Sequence, residues 1–264
     1  MYVFWPGFGL ANAGFFYYYL DMKKFVFIIC ALVFGACVGQ YVMPARFDYE
    51  MVECPNHDIA TWQKNSDNSS PVHIYIEGDG RAFYTNGRPT NNPTPRDSFV
   101  RKMAEYDSNP NVAYIARPCQ FITDDSCNVS TWTRGRFSAD NIDAMACAIK
   151  YVANGRPIVL IGFSGGAMVS GLVITQHPEI YIKKWITIAG VLNHHDWTNY
   201  FGDSALDASL DLYMLPNVPQ IHYVGADDSV VPMSLSRKWI GNHKMKIVRG
   251  ATHYDFPIMR LDFD

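Results

Sequence analysis

The chain has 264 residues, enough for one domain of ordinary size together with a targeting segment. Hydrophobic residues make up 48% and charged residues 18%, which excludes a disordered chain and allows a large core. The formal net charge is −3 and no basic stripe runs along the chain, which argues against nucleic acid as a partner.

In chain order, the first element is a secretion signal. It reads MKKFVFIICALVFGAC, Met22 to Cys37. Lys23 and Lys24 form the positive region and Phe25–Val33 a short apolar run. The small residues Gly35 and Ala36 stand before Cys37. The apolar run falls short of the ~20 residues that a membrane span needs. A cysteine directly after small residues resembles the lipobox of bacterial lipoproteins, so Cys37 is the expected lipidation site. Segment 22–36 is the expected signal peptide, and the aromatic stretch 1–21 before it reads as an upstream mis-start. The protein is therefore expected in a bacterial cell envelope, facing the periplasm as a lipoprotein anchored through Cys37, or secreted.

Residues 37–71 read as an irregular linker. From 72 to 264 apolar runs alternate with helical patterns. Val72–Glu77, Asn111–Ala116, Pro157–Gly162, Lys183–Gly190, Gln220–Gly225 and Lys244–Gly250 read as strands. Asp97–Tyr106 reads as a helix capped by Asp97, and Ser138–Ala153 as one capped by Ser138. A further helix begins near Gly165. This alternation predicts an α/β domain, with a mostly parallel central sheet and helices on both faces. In such sheets ligands bind at the carboxyl ends of the strands.

Export places the later cysteines in an oxidising compartment. Cys119 and Cys127 flank a short polar loop and are expected to form a disulfide. Cys147 reads as a buried thiol, with pairing to Cys54 the open alternative.

The chemistry centres on Gly162-Phe163-Ser164-Gly165-Gly166, a G-x-S-x-G pattern between a predicted strand and helix. A serine nucleophile needs a base and an orienting acid. VGADDSVVP, Val224–Pro232, ends one strand with two aspartates, and His253 follows the last strand in VRGATHYDFP. His73 and His222 lie within strands and read as structural. His194 and His195 lack a second ligand cluster, so no metal site is expected.

At these residues the chain resembles the α/β-hydrolase superfamily, from about Val72 to the C-terminus. Gly225, Asp228, Val231 and Pro232 match that superfamily's G-x-x-D-x-x-V-P acid loop, which selects Asp228 over Asp227. Gly250-Ala-Thr-His253 matches its histidine loop. The stretches YIEGDGRAF, ARPCQF, TWTRGRFS and HHDW are similar to a group of bacterial envelope hydrolases. The resemblance implies a catalytic triad of Ser164, Asp228 and His253. It also implies an oxyanion hole made by the amide of Gly165 and one near Asp79 or Gly80. Glu77 stands where the superfamily often has His. Arg81, Arg117, Arg134 and Arg136 are candidates to neutralise Glu77 and Asp79, or else form structural ion pairs.

The expected activity is that of a serine hydrolase cleaving a small or medium acyl substrate, most simply an ester, without a cofactor. An amidase or peptidase would use the same triad, and a non-catalytic binding lipoprotein is the alternative of another class. Residues 191–219 are expected to form a short cap. Its Trp197, Tyr200, Phe201 and Tyr213 either shape the pocket or cover the sheet.

Overall fold

The structure, a computed structural model, describes residues 43–263. The signal segment and Cys37 lie outside the described residues. One eight-stranded sheet organises the domain, in the order β1-β2-β4-β3-β5-β6-β7-β8. Its strands are β1 (Asp48–Glu53), β2 (Asp58–Asn65), β3 (Val72–Ile76), β4 (Asn111–Ile115), β5 (Ile158–Phe163), β6 (Ile182–Ile188), β7 (Gln220–Gly225) and β8 (Lys244–Val248). From β4 to β8 every neighbouring pair is parallel. Strand β2 joins β4 and β1 antiparallel.

The helices are α1 (Phe99–Tyr106), α2 (Val129–Trp132), α3 (Ala139–Ala153), α4 (Gly165–Gln176), α5 (His194–Phe201) and α6 (Met233–Ile240). They cover both faces of the sheet, which is why every residue of β3 and β4 is buried. The core joins Ile74, Ile115 and Leu160 of the sheet to Met145, Ile149, Val169 and Leu172 of the helices. Each such side chain, fully buried, contributes about 1.5–3 kcal/mol.

Two expectations need correction. Residues 48–65 are not irregular but form β1 and β2, whose polar residues alternate because much of the hairpin faces water. The cap of α1 is Ser98 rather than Asp97. The Ser98 hydroxyl accepts the Arg101 amide at 3.0 Å, while Asp97 turns outward to Lys102, 2.7 Å away. Ser138 does cap α3.

Two disulfides close loops. Cys119 and Cys127 are joined after β4. Cys54, directly after β1, is joined to Cys147 of α3, so Cys147 is not a free thiol. The two sheet edges carry opposite charge. Asp48, Glu50 and Glu53 line β1. On β8, Lys244 and Lys246 both bind Asp262 of the C-terminal segment, at 2.7 and 3.0 Å.

Candidate active site

The apolar strand β5 ends at Phe163, and α4 starts two residues later, so the chain must reverse within a single residue. Ser164 takes that position with φ +52° and ψ −122°. A non-glycine residue held there stores on the order of 1–3 kcal/mol of strain. The surroundings enforce it. The Ser164 amide donates to Ile188 O at 3.0 Å, and its carbonyl accepts the Val191 amide at 3.1 Å. Glycines make the crossing possible. A Cβ on Gly162 would lie 2.4 Å from the Gly166 carbonyl oxygen. One on Gly166 would lie 2.6 Å from the carbonyl oxygens of Ile76 and Glu77. The serine hydroxyl is thereby lifted beyond the carboxyl end of the sheet.

The loops after β7 and β8 bring two further groups to it. His253 is buried, and its Nε2 lies 2.9 Å from Ser164 Oγ. Its Nδ1 lies 2.9 Å from Asp228 Oδ2. A carboxylate only accepts, so Nδ1 carries the ring proton and Nε2 is free to accept from the serine. The other oxygen of Asp228 accepts the amides of Val230 and Val231, both at 2.8 Å. Asp227 is exposed and ties only its backbone, donating to Ala251 O. The structure thus brings Ser164, His253 and Asp228 into one hydrogen-bonded row and leaves Asp227 outside it.

Residues at the end of β3 flank the serine. Gly165 is the first residue of α4, so its amide has no acceptor within the helix. The Gly78 amide is occupied by Glu77 Oε1 at 2.8 Å. Among the described residues the amides of Asp79 and Gly80 have no acceptor, which leaves them as the donors available opposite Gly165. Gly80 has φ +60°, and a Cβ there would lie 2.2 Å from Pro93 O.

The two carboxylates beside this turn are compensated in different ways. Asp79 is clamped between Arg117 and Arg136. Burial alone would push its carboxyl up, but the two guanidiniums outweigh that and hold it below the usual range. Its oxygen lies over Gly165, where any Cβ would come within 2.1 Å. Glu77 is buried, and burial pushes its carboxyl up despite the Ser98 and Tyr114 hydroxyls and the Gly78 amide that donate to it. Of the four arginines proposed from the sequence, Arg117 and Arg136 do the neutralising. Arg134 meets Asp207 on the surface at 3.4 Å, and Arg81 lines the cavity beside the serine. Arg101, Ser98 and Tyr114, which surround Glu77, carry no motif and could not be found by reading alone.

A cavity of about 660 Å³ opens over Ser164 and His253. Phe99, Phe163, Phe256 and Ile258 make an apolar wall, with Phe99 packed 5.1 Å from Phe163 and 5.7 Å from Phe256. No residue of segment 191–219 lines it. Trp197 instead donates to the Val230 carbonyl at 2.7 Å, and Tyr213 is 92% exposed. That segment braces the loop of Asp228 rather than shaping the pocket.

The remaining histidines act elsewhere. His222 meets Thr187 and Gln220, and burial, with His243 nearby, pushes its ring down to about 3. His57, Cys119 and Cys127 bring three ligand-type atoms within 4.8 Å of one another. The two sulfurs are joined as a disulfide, and His57 meets Asp124 at 3.2 Å. His194 and His195 belong to no such group among the described residues.

Comparisons with known proteins bear on the fold and the family. The family model described as serine hydrolase (FSH1) matches residues 98–255. No curated protein matches the sequence. Among solved structures, Est1E from Butyrivibrio proteoclasticus, with ferulic acid bound, aligns with a TM-score of 0.56 at 14% identity. The alignment covers 77% of this chain and 90% of that one. An α/β serine hydrolase without lid from Xanthomonas campestris aligns with a TM-score of 0.50 at 14% identity, covering 82% and 89%. A carboxylesterase from the archaeon Nitrososphaera gargenis does so at 0.50 and 15%, covering 78% and 91%. At these identities the likeness speaks for the α/β-hydrolase fold. The family match runs through the serine elbow, the acid loop and the histidine loop alike, and by it the chain belongs to the FSH1 family of serine hydrolases.

Proposed function

We propose that the protein is an esterase that works through a Ser164–His253–Asp228 triad and an acyl-enzyme. The observation that carries this reading is the unbroken row from Ser164 Oγ to His253 to Asp228, with both contacts at 2.9 Å. His253 Nε2 takes the serine proton as Oγ attacks the ester carbonyl. The oxygen that becomes anionic is received by the Gly165 amide and by that of Asp79 or Gly80, donors fixed before charge develops. His253 then gives its proton to the departing alkoxide, which leaves as the alcohol. Water, deprotonated by His253, attacks the acyl-enzyme and releases the acid and free serine. Asp228 orients the ring and stabilises its charged form.

Ser164→Ala should lower kcat for a short p-nitrophenyl ester by about 10³-fold or more while the fold is retained. A fluorophosphonate should label the wild type and not this variant. Turnover or labelling that survives the substitution rules the reading out.

We also propose that the domain faces an oxidising envelope compartment, tethered through a lipidated Cys37. The two disulfides support the compartment, since such bonds persist outside the cytosol. No helix among the described residues is long and apolar enough to cross a membrane, so a tether would come from acyl chains, two or more being needed for stable attachment. Intact mass of envelope-derived protein should show a mature chain beginning at a modified Cys37. A different N-terminus or an unmodified cysteine refutes the anchor.

A further inference from the structure

The cavity over Ser164 is lined by charges of both signs that are unequally partnered. The chain carries a formal net charge of −3, yet guanidiniums gather around its serine. Asp79 has two arginines for one carboxylate, with Glu77 as the next carboxylate near Arg117. Two further arginines, Arg81 and Arg96, line the cavity itself. Among the described residues neither has a carboxylate partner. The other charges of the wall are Glu77, Asp79, Asp97, Lys102 and Asp255, of which Glu77 is held by the Ser98 and Tyr114 hydroxyls and the Gly78 amide. Lys102 and Asp97 cancel one another at 2.7 Å. Asp255 is exposed and stands alone against two guanidiniums.

Unpaired guanidiniums beside a reacting centre are unusual in a pocket meant only for neutral acyl chains. An apolar substrate would strip water from them and return nothing. A carboxylate would return a charge-assisted, bidentate hydrogen bond, whose planar geometry the guanidinium fork matches. The apolar wall of Phe99, Phe163 and Phe256 suits the carbon chain or ring that connects the ester to that acid.

We propose that the substrate is an acidic ester, a half-ester of a dicarboxylic acid or a close relative, whose free carboxylate is bound by Arg81 and Arg96 while its ester meets Ser164. This rests on the esterase reading above and specifies its substrate class. Arg81 and Arg96 are binding residues here and take no part in bond making.

Three chromogenic esters of one chain length test it: p-nitrophenyl hexanoate, mono-p-nitrophenyl adipate and p-nitrophenyl 6-(trimethylammonio)hexanoate. In the wild type kcat/KM for the adipate ester should exceed that for the hexanoate by about 10- to 100-fold, the worth of one or two hydrogen bonds to a charged group. The cationic ester should be the poorest. Added salt should shrink the spread, since the guanidiniums are partly exposed. In the Arg81→Gln/Arg96→Gln variant the adipate-to-hexanoate ratio should fall to near one. A wild type that shows no preference for the anion, that prefers the cation, or whose preference survives in the double variant overturns the proposal.

Binding separates this from the esterase reading. Titration of the Ser164→Ala protein with adipate and with hexanoate reads the anion site with no chemistry. Adipate should bind more tightly, and the added Arg81→Gln/Arg96→Gln changes should abolish the difference. Absence of that difference overturns the charge proposal even if all three esters are cleaved. Anion binding in a protein that cleaves no ester supports the charge site and overturns the esterase reading.

Discussion

Two adjacent aspartates end β7, and one turn decides between them. Asp228 points inward, accepts two loop amides and reaches His253. Asp227 points to water. Asp228→Asn should therefore cut kcat by about 10³-fold or more, because the amide leaves His253 with the wrong tautomer. Asp227→Asn should change kcat by less than about twofold. Steady-state kinetics on the two variants check this, and the reverse ranking would place the acid one residue earlier. This part of the site was legible because each triad member follows a strand and carries its own glycine pattern. The walls of the cavity were not. Arg96 belongs to the long connection before α1, Phe99 opens that helix and Phe256 follows the last strand, so only the folded chain shows that they line one cavity. The aromatics of 191–219 looked like pocket residues by composition, yet the chain spends Trp197 on the Val230 carbonyl instead.

At the scale of elements, the inner parallel strands announced themselves as apolar runs because helices cover both their faces, whereas the edge strand β8, KMKIV, is largely exposed. Strands β1 and β2 gave no such run. The edge strand β1 is mostly exposed, and β2 sets its buried Ile59, Ala60 and Thr61 among polar neighbours, so DYEMVE and DIATWQKN read as polar text. The hairpin is held by more than its ladder. Cys54–Cys147 ties its turn to α3 across 93 residues, whereas Cys119–Cys127 closes only 8. Loop-closure entropy gives about 4–5 kcal/mol for the first and about 2–3 kcal/mol for the second. Replacing Cys54 and Cys147 by serine should accordingly lower Tm more than replacing Cys119 and Cys127. Calorimetry on the two double variants decides, and equal shifts would show that unfolded-chain entropy is not what these bonds control.

For the molecule as a whole, an open eight-stranded sheet has two edges, each with unpaired backbone groups. Like edges repel: three carboxylates line β1, two ammonium groups β8. Unlike edges attract, and a β1 edge meeting the β8 edge of another copy would be a head-to-tail contact that never closes on itself. Asp262 stands against that outcome. It binds both Lys244 and Lys246 from within the same chain, offsetting one of their two charges, and its amide is pinned to the Tyr223 hydroxyl at 2.8 Å. The C-terminal segment thus lowers the positive charge that the β8 edge offers. Asp262→Asn should raise light scattering in dilute buffer, and about 0.15 M salt, with its Debye length near 8 Å, should return it to the wild-type level. A variant that scatters as the wild type does at low salt would mean that the charge of the β8 edge does not govern association.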